Sequence, residues 1–151
     1  MIDLRSYKLT LPGVYPGLNE YMEAERSNRY KAAGMKKDMQ RVIGLCIRAQ
    51  LGKLRIANPV VMHYAWFEPN RRRDRDNIVF ARKFIQDALT DCGVLQNDGW
   101  NNILWFTDTV FKDAKRPRVE ILIVEVEGYD PKRSGMAGAK KAGQDHRKGR
   151  T

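Results

Sequence analysis

The chain has 151 residues, 42% hydrophobic and 30% charged, enough for one domain with one core. No run approaches the ~18 apolar residues of a membrane span, and the N-terminus lacks a charged-then-apolar signal pattern, so the expected compartment is the cytoplasm. Net charge is +10, from 28 basic against 18 acidic residues, which points to nucleic acid or another polyanion as partner.

Residues 5–11 alternate, with Tyr7, Leu9 and Leu11 on one face, as in a half-buried strand that Pro12-Gly13 ends. Residues 21–37 interleave aromatic and basic side chains: Tyr21, Arg29, Tyr30, Lys36 and Lys37 among them. Such a mixture suits a surface that pairs with phosphates and stacks on unpaired bases. It equally suits a solvated loop running into a helix. From Met35 onward, Met39, Val42, Ile43, Cys46 and Ile47 repeat at helical spacing, which predicts a core helix ending near Gly52. Residues 59–67 form a near-continuous apolar run, read as a central strand with His63 as a core histidine. Cys46 and Cys92 fall on apolar helix faces and read as buried free thiols. His63 and His146 have no partner at ligand spacing, which argues against a zinc site.

The next stretch holds the most chemistry. Arg71-Arg72-Arg73-Asp74-Arg75-Asp76-Asn77 sets two aspartates one residue apart, just after three arginines. Glu68 before it reads as a surface residue at a strand end. Asn77 to Cys92 has apolar residues at Ile78, Ala81, Ile85, Ala88, Leu89 and Cys92, the pattern of one buried helix face. Asp76 stands at the N-cap position and Gly93 where the helix would stop. At about 100° per residue, Phe80, Lys83 and Asp87 fall within about 40° of Asp76. Helical side chains lean toward the N-terminus, so Lys83 can reach back along that face. A turn at Asn97-Asp98-Gly99 then brings a third aspartate, Asp98, beside the first two. Gathered carboxylates flanked by arginine suggest a hard cation acting on a phosphate: oxygen ligands suit Mg²⁺, and the guanidinium fork suits phosphate oxygens. The competing view is that Asp76 is only a helix cap and Asp74 a solvated turn residue.

Residues 102–112 read as the third strand and 119–126 as the fourth. The loop between them would close a hairpin whose tip, Lys115, Arg116 and Arg118, is a candidate phosphate contact or a solvated turn. The order of elements, β-α-β-α-β-β, predicts a single α+β domain: a four-stranded mixed sheet with two main helices. Residues 128–151 carry seven basic and two acidic residues and almost no large apolar ones, so a flexible basic tail is expected.

Arg-Arg-Arg-Asp-x-Asp-Asn at 71–77, Asp87-Ala88-Leu89-Thr90 at a helix end and Leu95-x-x-Asp98 after it resemble the RusA family of Holliday junction resolvases, common in phages and prophages. The resemblance spans roughly residues 7–126. It implies an endonuclease domain over 1–127, working as a homodimer in a bacterial cytoplasm and nicking four-way DNA junctions in pairs during recombination and repair. The cofactor would be Mg²⁺, with Mn²⁺ able to substitute. The family's catalytic, metal-holding aspartates map onto Asp74, Asp76 and Asp98, and its lysine onto Lys83. In the best-known branch that lysine comes one turn sooner, where this chain has Phe80, and about three residues are added before Asp87. The arginines at 71–73, the tip residues Lys115, Arg116 and Arg118, and Arg29, Lys36 and Lys37 would bind DNA. Two other classes compete: a branched-DNA-binding module without cleavage, and a basic phage assembly protein.

Overall fold

The strand over Val60–Glu68 (β2) is the axis of the fold in the computed structural model, which describes residues 5–130 and residue 132. Its side chains alternate, with Met62, Tyr64 and Trp66 buried on one face and His63, Ala65 and Phe67 half-exposed on the other. Ser6–Pro12 (β1), Ile103–Lys112 (β3) and Arg118–Glu125 (β4) complete a mixed sheet in the order β1-β4-β2-β3. β2 runs parallel to β3 and antiparallel to β4, and β4 is antiparallel to β1. The domain is therefore α+β with a four-stranded mixed sheet, as the element order predicts.

The expected hairpin does not form. β4 pairs with β1 and with the far side of β2, so residues 113–117 cross the end of β2 instead of closing a tight turn. The crossing is tied down at both ends: Asp113 donates its N–H to the Glu68 carbonyl at 2.7 Å, and Gly13 donates to the Pro117 carbonyl at 2.9 Å. A second antiparallel neighbour lets Val119, Ile121 and Ile123 join the centre of the core, where an edge hairpin would leave them half-covered.

The helices cover one face. Leu18–Ser27 (α1) and Arg29–Leu51 (α2) replace the mixed loop and helix expected over 21–51. Asn28 separates them and caps α2, its side chain accepting the Tyr30 N–H at 2.8 Å; Gly52 closes α2 with a positive φ of 60°. Met39, Ile43 and Ile47 point into the core, but Val42 is 42% exposed and Cys46 only half-buried, so the buried stripe is narrower than the apolar one. The predicted single helix after Asp76 is two: Arg75–Val79 (α3) and Arg82–Asp91 (α4). At the junction the bonds tighten to i→i+3, Lys83 to Phe80 at 3.3 Å and Phe84 to Ala81 at 3.0 Å. Phe80 turns toward Tyr21 and Phe84, their ring centroids each 5.4 Å away. Ile78, Ala81, Phe84, Ile85, Ala88 and Leu89 all reach the core, and full burial of each larger one contributes roughly 1.5–3 kcal/mol.

Among the described residues the opposite face of the sheet carries no helix. His63 lies there rather than in the core, its Nδ1 2.6 Å from the Thr107 hydroxyl. The expected basic tail lies outside the described residues except for 128–130 and 132. No helix among the described residues is long and apolar enough to cross a membrane.

Candidate nucleic-acid and metal site

The site begins where β2 ends. Glu68 is 6% exposed, so it is neither a surface residue nor free to ligate. Arg73 folds back over it, donating from Nε at 2.8 Å and again from Nη2 to the same Oε1. The third nitrogen of the fork, Nη1, donates to the Tyr15 carbonyl at 2.9 Å and lies 3.7 Å from Glu20. A buried carboxylate is tolerable only with such a partner. Arg73 is thus a strut that joins the end of β2 to the start of α1, and its expected place on a phosphate is corrected accordingly.

Pinned by that strut, the chain turns through Asn70, whose Oδ1 accepts the Arg72 N–H at 3.1 Å, and enters α3. The N-cap residue is Asp74, not Asp76: Asp74 has extended backbone (φ −67°, ψ 155°), and its carbonyl accepts the Ile78 N–H at 3.1 Å. Its carboxylate makes no capping bond. Asp76 sits in the first turn, where helix polarity favours an anion. Asn77 anchors the short helix from below. Its Oδ1 accepts the Asn19 N–H at 3.0 Å, and the backbone of Gly17 lies directly against it.

Each of the three aspartates lines its own cleft. One, of about 510 Å³, holds Asp74 with Arg71, Arg75 and Lys112. A second, of about 420 Å³, holds Asp76 with Phe80, Arg82, Lys83 and Gln86. A third, of about 550 Å³, holds Asp98 with Trp100, Trp105 and Tyr129. Gln86 and Phe106 line both the second and the third, so they form the wall between Asp76 and Asp98. The expected gathering of all three carboxylates is not met: among the described residues no group of three or more His, Cys, Asp or Glu could hold a metal ion together. Each is nonetheless exposed, and the side chains of Asp74, Asp76 and Asp98 make no hydrogen bond or ion pair among the described residues. A Mg²⁺ site needs only one or two protein carboxylates when substrate phosphate and water complete the shell. The donors present fit that smaller requirement, with Asp74 and Asp76 two residues apart on one turn.

Asp87 on α4 lies within electrostatic reach of Asp98, and sequence reasoning did not single it out as a site residue. Burial raises its pKa, as do the nearby carboxylates of Asp98 and Asp91, while the Lys36 and Lys83 ammonium groups pull it back down. Its position four residues after Lys83, on the Asp76 face, was the available signal. Lys36 and Lys83 thus lie within electrostatic reach of the Asp87 carboxylate, and Lys83 also lines the Asp76 cleft.

The basic residues divide into committed and free. Arg82 pairs with Asp108, which also accepts the Trp66 indole N–H at 2.9 Å, and its guanidinium lies over the Phe106 ring at 4.2 Å. Arg118, expected at a phosphate, is held by Asp113 at 2.9 Å and Glu120 at 3.1 Å and stacks on Phe67 at 3.7 Å. Its hydrogen bonds hold the Asp113 and Glu120 carboxyls below the ordinary carboxylate range. Asp113 also accepts the backbone N–H groups of Lys115 and Arg116 at 3.2 and 3.1 Å, which fixes the loop and leaves both side chains outward. Arg71, Arg72, Lys115 and Arg116 are exposed and make no ion pair among the described residues. Through the contacts at Glu68 and Gly13 they share one end of the sheet. Arg29 lies over Tyr30 at 5.1 Å near the start of α2, and Lys37 is exposed on the same helix.

Fold and site together define a two-layer α+β domain with Asp74, Asp76 and free arginines beyond the Glu68 end of β2, and with Asp98 beside the opposite, Ile103 end of β3. Compared with known proteins, the chain matches no family model and no curated protein.

Proposed function

We propose that this protein is a Mg²⁺-dependent, structure-selective endodeoxyribonuclease of the RusA type that resolves four-way DNA junctions by paired nicks. The observation that carries the reading is a pair of carboxylates, Asp74 and Asp76, unpaired among the described residues and beside free arginines in a chain of net charge +10, with a third unpaired acid, Asp98, beyond Gln86 and Phe106. Unpaired acids in so basic a chain are available to a cation, and the adjoining cations are available to a polyanion. Asp74 and Asp76 would hold Mg²⁺ together with a phosphate oxygen, and Asp98 would approach from beyond Gln86 and Phe106. The bound ion would supply a water of lowered pKa and offset charge on the phosphate. Arg71, Arg72, Lys115 and Arg116 orient the backbone without reading sequence. Lys83, in the Asp76 cleft, stabilises the charge that develops on the phosphate. A junction has near two-fold symmetry, which a symmetric pair of copies matches.

Cleavage of a synthetic four-way junction with and without Mg²⁺ tests this. Paired nicks with the metal, lost in Asp76→Asn at unchanged stability, are expected. An intact junction under the same conditions, with the protein bound, would sink the nuclease reading. The dispersal of the carboxylates over three clefts favours one second reading, a branched-DNA-binding module without cleavage. It predicts junction binding indifferent to Mg²⁺. Equal binding to linear duplex at fixed salt would point instead to a basic phage assembly protein.

A further inference from the structure

The face of the sheet that carries no helix among the described residues has a pattern of its own. In register across it stand Arg118 of β4, Phe67 of β2 and Phe111 of β3. The Arg118 guanidinium lies 3.7 Å from the centre of the Phe67 ring, and the Phe67 and Phe111 rings stack at 5.1 Å with 20° between their planes. Arg118 is itself fixed by Asp113 and Glu120. The ladder therefore begins on a braced cation and ends on Phe111, which is 46% exposed. A braced aromatic ring left so open is a platform on which another flat ring can stack.

The surroundings of that ring say what would stack there. Phe111 lines two clefts and forms the shoulder between them. One is the Asp74 cleft, with Arg71, Arg75 and Lys112. The other is a groove of about 410 Å³ on the bare face, lined also by Lys8, His63, Thr107, Thr109 and Leu122. The hydroxyls of Thr107 and Thr109 and the His63 imidazole can donate and accept hydrogen bonds, which suits the edge of a base. Lys8, on β1, supplies a cation across the sheet from Phe111. The acid in the lining, Glu120, lies 3.1 Å from Arg118 and 3.7 Å from Lys8, so its repulsion of a phosphate is offset. Cations at both ends with an aromatic ring between them hold a nucleic-acid strand by its backbone and its bases together. Four-stranded sheets with exposed aromatic rings bind unpaired bases in this way. A duplex cannot use the platform, because its base faces are already covered by their neighbours.

We propose that the open face of the sheet binds an unpaired DNA strand, with one base stacked on Phe111 at the shoulder of the Asp74 cleft. DNA as the polymer rests on the proposed function; the stacking does not. A strand leaving the Asp74 cleft passes over Phe111 into the groove, where its backbone meets Lys8. The site thereby supplies a preference for branched over linear DNA. The outward cations cannot do so, since phosphates are the same in both.

The test measures binding to the full-length chain at fixed salt, without divalent metal. The probes are a short single-stranded oligonucleotide with a fluorescent aminopurine at its centre, and a linear duplex. The parent is expected to bind the single strand and to quench the aminopurine, as stacking does. Phe111→Tyr keeps the ring and should do the same. Phe111→Leu keeps apolar bulk without the ring. It should weaken single-strand binding about fivefold or more and abolish the quench, with duplex affinity and unfolding midpoint unchanged. In a salt series, Lys8→Gln should lower the slope of log K against log salt by about 0.7 for the single strand alone. A parent that leaves the aminopurine unquenched overturns the proposal. So does equal single-strand affinity of the parent and Phe111→Leu, the result expected if a second copy or another protein occupied this face. Binding is read without cleavage: a chain that quenches the aminopurine and leaves junctions intact would sink the proposed function and leave this site standing, and the reverse result would do the opposite.

Discussion

Asn77 lies so close to the backbone of Gly17 that a Cβ added there would sit 2.7 Å from the Asn77 carbonyl oxygen and 2.8 Å from its side-chain Cγ. Residue 17 needs to be glycine for want of space, not for a special φ, because its backbone is extended at φ −92°. The contact sets the start of α1 against α3, the helix that carries Asp76. Gly17→Ala is expected to cost about 1–3 kcal/mol, the usual penalty of overpacking. It should also shift α3, so junction cleavage would fall by more than the unfolded fraction explains. Urea unfolding and cleavage measured on the same sample check both, and an unchanged midpoint would mean that the site gives way freely.

Arg73 and Glu68 form the second support. Arg73→Met leaves the Glu68 carboxylate, 6% exposed, without its partner, and a loss of about 3–5 kcal/mol is expected. Arg73→Met/Glu68→Leu removes both charges and should recover much of that. Denaturant midpoints of the two variants decide the matter: if the double variant is no more stable than the single one, the pair is not what holds this corner.

Free and committed cations should behave differently toward DNA. Lys115→Ala/Arg116→Ala removes two outward charges and no described ion pair, so stability should hold while the slope of log K against log salt falls by roughly 1–2. Arg118→Ala should do the reverse, since its guanidinium ties Asp113 and Glu120 and stacks on Phe67. Binding to a four-way junction across a salt series, alongside thermal unfolding, separates the two. An equal change of slope in both variants would contradict the division.

Asp87 and Asp113 titrate with opposite consequences. The folded pKa of Asp87 is raised from its ordinary 3.8, chiefly by burial, so its ionised form opposes folding. That penalty is complete above the raised value and absent below 3.8. Asp87→Asn should therefore stabilise the protein at neutral pH, with the gain fading as pH falls through this window. Asp113 is lowered from 3.8, chiefly by the Arg118 hydrogen bond, so its contribution is present above 3.8 and lost as pH falls to the depressed value. Asp113→Asn should destabilise at neutral pH and match the parent in strong acid. Unfolding curves between pH 2 and 7 check both signs, and parallel curves for parent and variants would refute them.

The chain's local patterns carried a good part of this structure. Alternation at Leu9 and Leu11, the apolar run from Val60, and the 3.6-residue spacing around Ile43 and Ile85 named strands and helices within a few residues of their observed bounds, because periodicity reports which face of an element is buried. Gly52 and Gly93 marked two helix ends for the same local reason. What periodicity could not supply was the neighbour. Strand order is settled by which faces bury most area together, so Val119–Ile123 was legible as a strand, but its place between β1 and β2 was not. At the helix break Phe80 packs on Tyr21, a neighbour far away in sequence. The site divides along the same line. Composition determined that the protein is strongly basic, and residue type determined that Asp74, Asp76 and Asp98 are hard oxygen donors. Only the tertiary structure decided that Arg73, Arg82 and Arg118 are spent on Glu68, Asp108 and Asp113, and that Gln86 and Phe106 stand between two of the acids. Charge is a property of the residue, but whether that charge is available depends on what folding brings within a few ångströms of it.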